Sequence, residues 1–224
     1  MNEVVSMIVV KDLKKYYENG LVKALNGVSF EIEEGEAVSI MGPSGCGKST
    51  LLNLIGTLDM PTEGQIWIAG KNIADYSPTD LFRAKYLGFI FQFHHLIPNL
   101  SLLENVELPM FSLPIPNRLR RNKAIALLKE MGLEDRMNFV PTRVSGGERQ
   151  RAAIARAMIN DPQIILADEP TGSVDTVIGN KILDFLVDLC DTKKITMVIA
   201  THNHEVAART KRIIRMRNGL IEKS

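Results

Sequence analysis

The chain has 224 residues, 45% of them hydrophobic and 24% charged, the balance of an ordinary folded domain that can bury a full core. Its 27 Lys and Arg against 26 Asp and Glu leave a formal charge of +1, which excludes a general electrostatic pull toward nucleic acid or acidic lipid. Two cysteines, Cys46 and Cys190, are too few for a disulfide framework or a zinc cluster and fit a reducing compartment.

Val4 to Leu13, rich in Val, Ile and Met, predicts a strand, and Val28 to Glu33 alternates apolar and polar residues as a half-buried strand does. Ala37 to Met41 predicts a short strand that runs into Gly42-Pro43-Ser44-Gly45-Cys46-Gly47-Lys48-Ser49-Thr50. After it, Leu51, Leu52, Leu54, Ile55 and Leu58 mark a helix. Gly64 to Gly70 predicts a strand bounded by glycines, and Leu87 to Phe91 an apolar strand ending at Gln92. From Pro98 to Pro141 the character changes: five prolines punctuate helical segments at Leu102–Leu108 and Arg120–Met131, which read as an inserted helical block. Ser145 to Asn160 predicts a helix, Gln163 to Ala167 a strand, Val177 to Cys190 a helix and Ile195 to Ala200 a buried strand. Arg212 to Met216, an Asn218-Gly219 turn and Leu220-Ile221 predict a closing hairpin. Strands alternating with helices point to an α/β fold with a mainly parallel sheet. No apolar run approaches the ~20 residues of a spanning helix, and Glu3 with Lys11, Lys14 and Lys15 breaks any secretory pattern. A cytoplasmic chain that at most docks onto a membrane protein is expected.

Residues 42–49 match G-x-x-x-x-G-K-[ST] between a predicted strand and a predicted helix, the context that motif requires. Gly42, Gly45 and Gly47 let the backbone turn tightly and aim N–H groups at a phosphate, and the helix adds its positive end. Lys48 supplies a point charge for β- and γ-phosphates, Ser49 a hydroxyl for Mg²⁺, Thr50 a further hydroxyl for phosphate; Ser44 and Cys46 complete the loop. Cys46 reads first as a tolerated small residue; the sharper reading is a reactive thiol, because helix N-termini lower thiol pKa.

Ile164 to Ala167 delivers Asp168 and Glu169 at a strand end. Strand side chains alternate in direction, so the two acids are expected to do different jobs. Asp168 suits Mg²⁺, and Glu169 suits the orientation and deprotonation of an attacking water. Ser145-Gly146-Gly147-Glu148 has the spacing of a capping box. Two glycines in a first turn are poor helix formers and make sense where a ligand approaches the backbone, giving a second phosphate-binding helix end. Two such ends far apart in one chain suggest two copies arranged head-to-tail, each closing the other's site.

Together these motifs resemble the ATP-binding cassette (ABC) family, specifically an ABC transporter ATPase subunit, over essentially the whole chain. Gly42–Ser49 resembles its Walker A motif and Ile164–Asp168 its Walker B motif. Ser145–Glu148 resembles its signature, with Glu148 where Gln is commoner and Val144 where Leu is commoner. By order and context Tyr17 resembles the adenine-stacking aromatic residue, with Tyr16 its rival. Gln92 resembles the Q-loop ligand of Mg²⁺ and water, Asp175 the D-loop residue that reaches across the dimer, and His202 the switch histidine on the γ-phosphate. The histidines at 94, 95 and 204 keep a structural reading. The resemblance implies a P-loop NTPase core with an antiparallel β-subdomain over 1–97 and 142–224 and an α-helical subdomain over 98–141, with the signature at 144–150. It implies ATP and Mg²⁺ as ligands, an ATP-dependent homodimer, and integral membrane subunits as partners at the cytoplasmic face of the membrane, with no nucleic acid. Leu87 to Pro98, Leu103 to Pro109 and Ser145 to Arg151 resemble more narrowly the ATPases of lipoprotein-releasing (Lol) systems, whose patterns overlap those of macrolide exporters and cell-division ABC ATPases. Phe111–Arg121 departs from the Lol pattern. A regulator that moves no cargo is the alternative; an ABC ATPase acting on DNA or ribosomes would carry a coiled-coil insertion or a second cassette.

Overall fold

The computed structural model describes residues 6–222; Val4 and Val5 of the first expected strand lie outside them. β1 (Ser6–Tyr17) and β2 (Val22–Glu33) form a hairpin, and β3 (Ala37–Met41) leads through the glycine loop to α1 (Lys48–Ile55). β4 (Glu63–Ile68) and β5 (Lys71–Asn72) precede α2 (Thr79–Tyr86) and β6 (Leu87–Phe91). α3 (Leu102–Glu107) and α4 (Asn117–Glu130) follow, then α5 (Gly146–Met158), β7 (Ile164–Asp168), α6 (Thr176–Lys193) and β8 (Thr196–Thr201). α7 (His204–Ala207), β9 (Arg212–Arg217) and β10 (Leu220–Ile221) close the chain.

Two sheets result. One is antiparallel, in the order β2-β1-β4-β5; the other, β10-β9-β3-β8-β7-β6, is parallel except for the terminal β9–β10 hairpin. The central strands are apolar on both faces because both faces are covered. Val38 and Ile40, Leu166, Val198 and Ala200 point into a core shared with α1 and the antiparallel sheet. Ala37, Ile165, Ala167, Met197 and Ile199 point into a second core shared with α3, α4, α5 and α6.

The bounds of β1, β2 and α4 shift, and α2 was not expected. β1 continues to Tyr17 and β2 starts at Val22, because pairing on both sides (Tyr17 with Val22, Lys14 with Glu63) holds a polar stretch that lacks an apolar pattern of its own. α2 had no visible stripe: it buries only Phe82 and Ala84, and Arg83 anchors it to the Thr57 carbonyl at 3.1 Å. α4 begins at Asn117 rather than Arg120, since the Pro116 carbonyl accepts the Leu119 and Arg120 N–H groups and so starts the helix.

α3 and α5 both open with capping boxes. Ser101 Oγ accepts from the Glu104 N–H at 3.2 Å while Glu104 accepts from the Ser101 N–H at 2.7 Å, and Ser145 and Glu148 repeat those distances. The Ser101 hydroxyl, then its N–H, holds the Glu104 carboxyl below its usual range, and the Ser145 N–H does so for Glu148. A carboxylate with a depressed folded pKa adds stability above its ordinary pKa and loses it as pH falls through the folded value. The denaturation midpoint is therefore expected to fall between about pH 6 and about pH 3, and less steeply in a Glu104→Gln/Glu148→Gln variant; parallel pH profiles by urea titration would refute this.

Candidate functional site

Parallel register sets four strand ends side by side. Met41 pairs with Thr201, Ala200 with Asp168, and Asp168 with Phe91. The residues that follow, Gly42, His202, Glu169 and Gln92, therefore share the carboxyl edge of the sheet, where open α/β sheets bind ligands.

The glycine loop is built for close approach. Gly47 stands just before α1 at φ +105°, and a Cβ there would lie 2.5 Å from the Ala24 carbonyl oxygen. A Cβ on Gly42 would collide with the Met216 carbonyl and the Cys46 sulfur. Gly45 turns at φ +78° with nothing near its missing side chain. No side chain caps α1, so its first N–H groups are left for an anion. Lys48 is buried and donates to the Gly42 and Pro43 carbonyls at 2.7 and 3.1 Å. Ser44 and Ser49 are exposed and Thr50 half-buried. Cys46 is only 4% exposed and its N–H turns back to the Pro43 carbonyl. That burial favours packing over the reactive-thiol reading. A cleft of about 390 Å³ beside Gly42 and Pro43 is lined by His202, His204, Arg215, Arg217, Met216 and Glu222.

Asp168 and Glu169 do separate, but not by strand alternation. β7 ends at Asp168, and Glu169 takes a left-handed backbone at φ +45°, a geometry costing about 1–2 kcal/mol for a residue with a Cβ. Asp168 faces Ser49 and Lys48; burial pushes its pKa up, Ser49 opposes, and the neighbouring Glu169 charge adds to the rise. The Glu169 carboxylate accepts from the Thr201 hydroxyl at 2.9 Å and from the His202 N–H at 2.9 Å, and lies 2.6 Å from His202 Nδ1. Three groups thus fix its orientation. The hard oxygens of Ser49 and Asp168, beside a phosphate loop, are a donor set that suits Mg²⁺ shared with substrate phosphates.

The remaining candidates lie around this edge. Gln92 is half-buried against Gly172, whose Cβ would be 3.0 Å from its Nε2. The Tyr17 hydroxyl donates to Asp59 at 2.8 Å, with Thr50 close by and the Lys15 ammonium 4.8 Å over its ring. Tyr16 turns instead to Asn26, so Tyr17 is the tyrosine on the side of α1. Asp175 is the cap of α6 and accepts from the Ile178 N–H.

Ser145 caps α5, is exposed, and bonds Glu148, which also pairs with Arg136 at 3.2 Å. Among the described residues neither reaches the 42–50 loop by a hydrogen bond. The two glycines have uses inside the chain: a Cβ on Gly147 would press on Ile178 at 3.0 Å, and one on Gly146 on the Ser173 carbonyl at 3.3 Å. Close approach by a ligand is therefore not the whole reason for them. Several polar residues gave no sequence signal at all. Thr201 is the last residue of an apolar run, and Gln150, which donates to the Pro170 carbonyl at 2.6 Å, and Arg156, in the last turn, lie within α5. Their roles appear only with their partners.

The ABC transporter family model matches residues 25–172, more than half of the chain. The chain belongs to the ABC transporter family. The lipoprotein-releasing system ATP-binding protein LolD of Syntrophus aciditrophicus is 42% identical over 219 residues, 96% of this chain and 98% of that one. The macrolide export ATP-binding/permease protein MacB of Hyphomonas neptunium is 45% identical over 96% of this chain but 34% of its own length. A dimeric post-hydrolysis state of the ATP-binding cassette MJ0796 of Methanocaldococcus jannaschii, bound to ADP and Pi, matches with a TM-score of 0.89 and 44% identity over 97% of each chain. This ABC protein is thus an ATP-binding transporter subunit and an ATPase, with the α/β cassette fold its motifs implied.

Asp168 holds a charge that burial disfavours. Asp168→Asn is expected to raise the thermal midpoint of the nucleotide-free ABC protein at about pH 8 while removing Mg²⁺-dependent phosphate release. A lowered midpoint in a fluorescence melt would contradict the reading.

Proposed function

We propose that this ABC ATPase works as a pair of copies closing around two ATP molecules and driving separate integral membrane subunits from the cytoplasmic face, in lipoprotein release or a related export. The observation that carries the reading is the shared edge at Gly42, His202, Glu169 and Gln92, with Ser145 exposed at the start of another helix and unbonded to it. One copy supplies Lys48, Ser49, Gln92 and Asp168, the glycine loop from Gly42 to Thr50, and Tyr17 for the adenine. The other supplies Ser145, Gly146 and Gly147, with Asp175 at the seam. A γ-phosphate touches the second copy's helix end only when the pair is closed, so ATP favours closure selectively.

Within the closed site Lys48 and the α1 N–H groups hold phosphate charge. Glu169, oriented by Thr201 and His202, takes the proton of the attacking water, and His202 is placed to touch the γ-phosphate. Ser49, Gln92 and Asp168 would hold Mg²⁺, whose charge offsets that of the phosphates. Opening follows hydrolysis because the γ-phosphate contact is gone.

Support for a membrane partner comes from a cleft of about 350 Å³ beside the Gln92 loop, lined by Phe89, Phe91, His95, Pro109, Ser112 and Arg156. Phe93 and Phe111, adjacent in sequence to Gln92 and Ser112, are 73% and 58% exposed. Among the described residues no helix is long and apolar enough to cross a membrane. The LolD and MacB relatives favour a cargo-moving partner over a regulator.

Glu169→Gln should trap an ATP-bound dimer in light scattering and slow hydrolysis by ~10²–10⁴; a variant that stays monomeric in saturating ATP defeats the two-copy model. Lys48→Ala should lose nucleotide binding, and unchanged affinity by calorimetry would contradict the loop's role. Reconstitution with its membrane subunits separates lipoprotein release from drug export and from activation of an extracytoplasmic hydrolase.

A further inference from the structure

The segment after Gln92 is gripped from two sides. Arg156, near the end of α5, donates to the His94 and His95 carbonyls at 2.7 and 2.6 Å. On the other side Ser173 Oγ lies 3.1 Å from His94 Nε2, and Gly172 packs on Gln92. The His94 N–H returns to the Phe91 carbonyl at 3.0 Å, so its backbone is fixed to the end of β6. Both histidines hold left-handed backbones, at φ +63° and +48°. Such a geometry persists where its surroundings over-determine it.

Ser173 faces two ways. Its hydroxyl meets His94, and its carbonyl packs on Gly146, the first residue of α5. α5 then runs back to Arg156, which holds the same two histidines. The contacts close a circuit through Gly146, Ser173, His94 and Arg156. The His94 side chain is buried, and its ring nitrogen can share one hydrogen bond with a hydroxyl.

We propose that His94 is a positioning residue: its bond to Ser173 ties the Gln92 loop to the segment between Glu169 and Asp175, so that the two move as one body. Contact made by a second copy at Asp175 then reaches both Gln92 and the apolar cleft beside it through one side-chain bond. This rests on the two-copy ATPase reading for its purpose, but the tie itself is a property of the single chain.

The test uses the full chain. His94→Phe keeps the ring and loses the nitrogen; Ser173→Ala, on a partly exposed turn, loses the hydroxyl with little risk to folding; His94→Gln restores a polar group at similar reach. Each of the first two is expected to lower kcat about fivefold with KM for ATP within about twofold, and to speed hydrogen–deuterium exchange over residues 92–97. The double variant should be no worse than either single one, and His94→Gln should recover most of the rate. Unchanged exchange over 92–97 in Ser173→Ala, or single effects on kcat that multiply in the double variant, overturns the proposal. If the parent chain itself hydrolyses no ATP, the functional reading fails instead, and the exchange comparison still decides whether the tie exists.

Discussion

Four parallel strands in continuous register carry the proposed site of this chain. Neighbouring strands lie only about 4.8 Å apart, so residues one step beyond each strand end fall within reach of a single triphosphate. The order β3, β8, β7, β6 places the phosphate loop beside His202, then Glu169, then Gln92. A slip of one residue in any pairing would turn one of the proposed site residues away from that edge. The two cores that clamp the sheet from either face hold the register, and so hold the site.

The same edge concentrates what a stable fold otherwise avoids. Lys48 is buried against carbonyls, Asp168 carries a pKa raised by burial, and Glu169, His94 and His95 occupy left-handed backbones. Arg156 is desolvated enough that its pKa is pushed down to about 10, with carbonyl oxygens and no carboxylate within bonding distance among the described residues. Such groups persist because the surrounding packing over-determines them. Of these, the buried Lys48 ammonium is the charge that a polyanionic ligand would offset.

α5 joins the two halves of the molecule. Its capped start presents Ser145 outward, its glycines let the 173–178 segment lie flush against it, and its far end fastens the Gln92 loop. Glu148 fits this arrangement in place of the commoner glutamine. Its carboxylate completes the capping box and reaches Arg136, so the negative charge is spent inside the chain.

The phosphate loop, the acid pair and the capped glycine helix were legible because each is a local pattern: a few neighbouring residues suffice to state the chemistry. So were the central strands, whose apolar runs need no partner to be recognised. Tyr17, Gln92 and His202 could be singled out only by their order among stronger motifs, since a single tyrosine, glutamine or histidine carries no local signature. Nothing in the chain foretold that Glu169 is turned by a kink rather than by strand alternation, that Thr201 steers it, or that Gly147 makes room for Ile178. α2 and the full length of β1 escaped for a related reason: their stability comes from neighbours far away in sequence. Local spacing determines which groups can bind a phosphate, because those groups are adjacent along the backbone. Which side chains then orient them is decided only when distant strands and helices pack, because hydrogen bonds such as His94 to Ser173 join residues whose separation in sequence leaves no pattern to read.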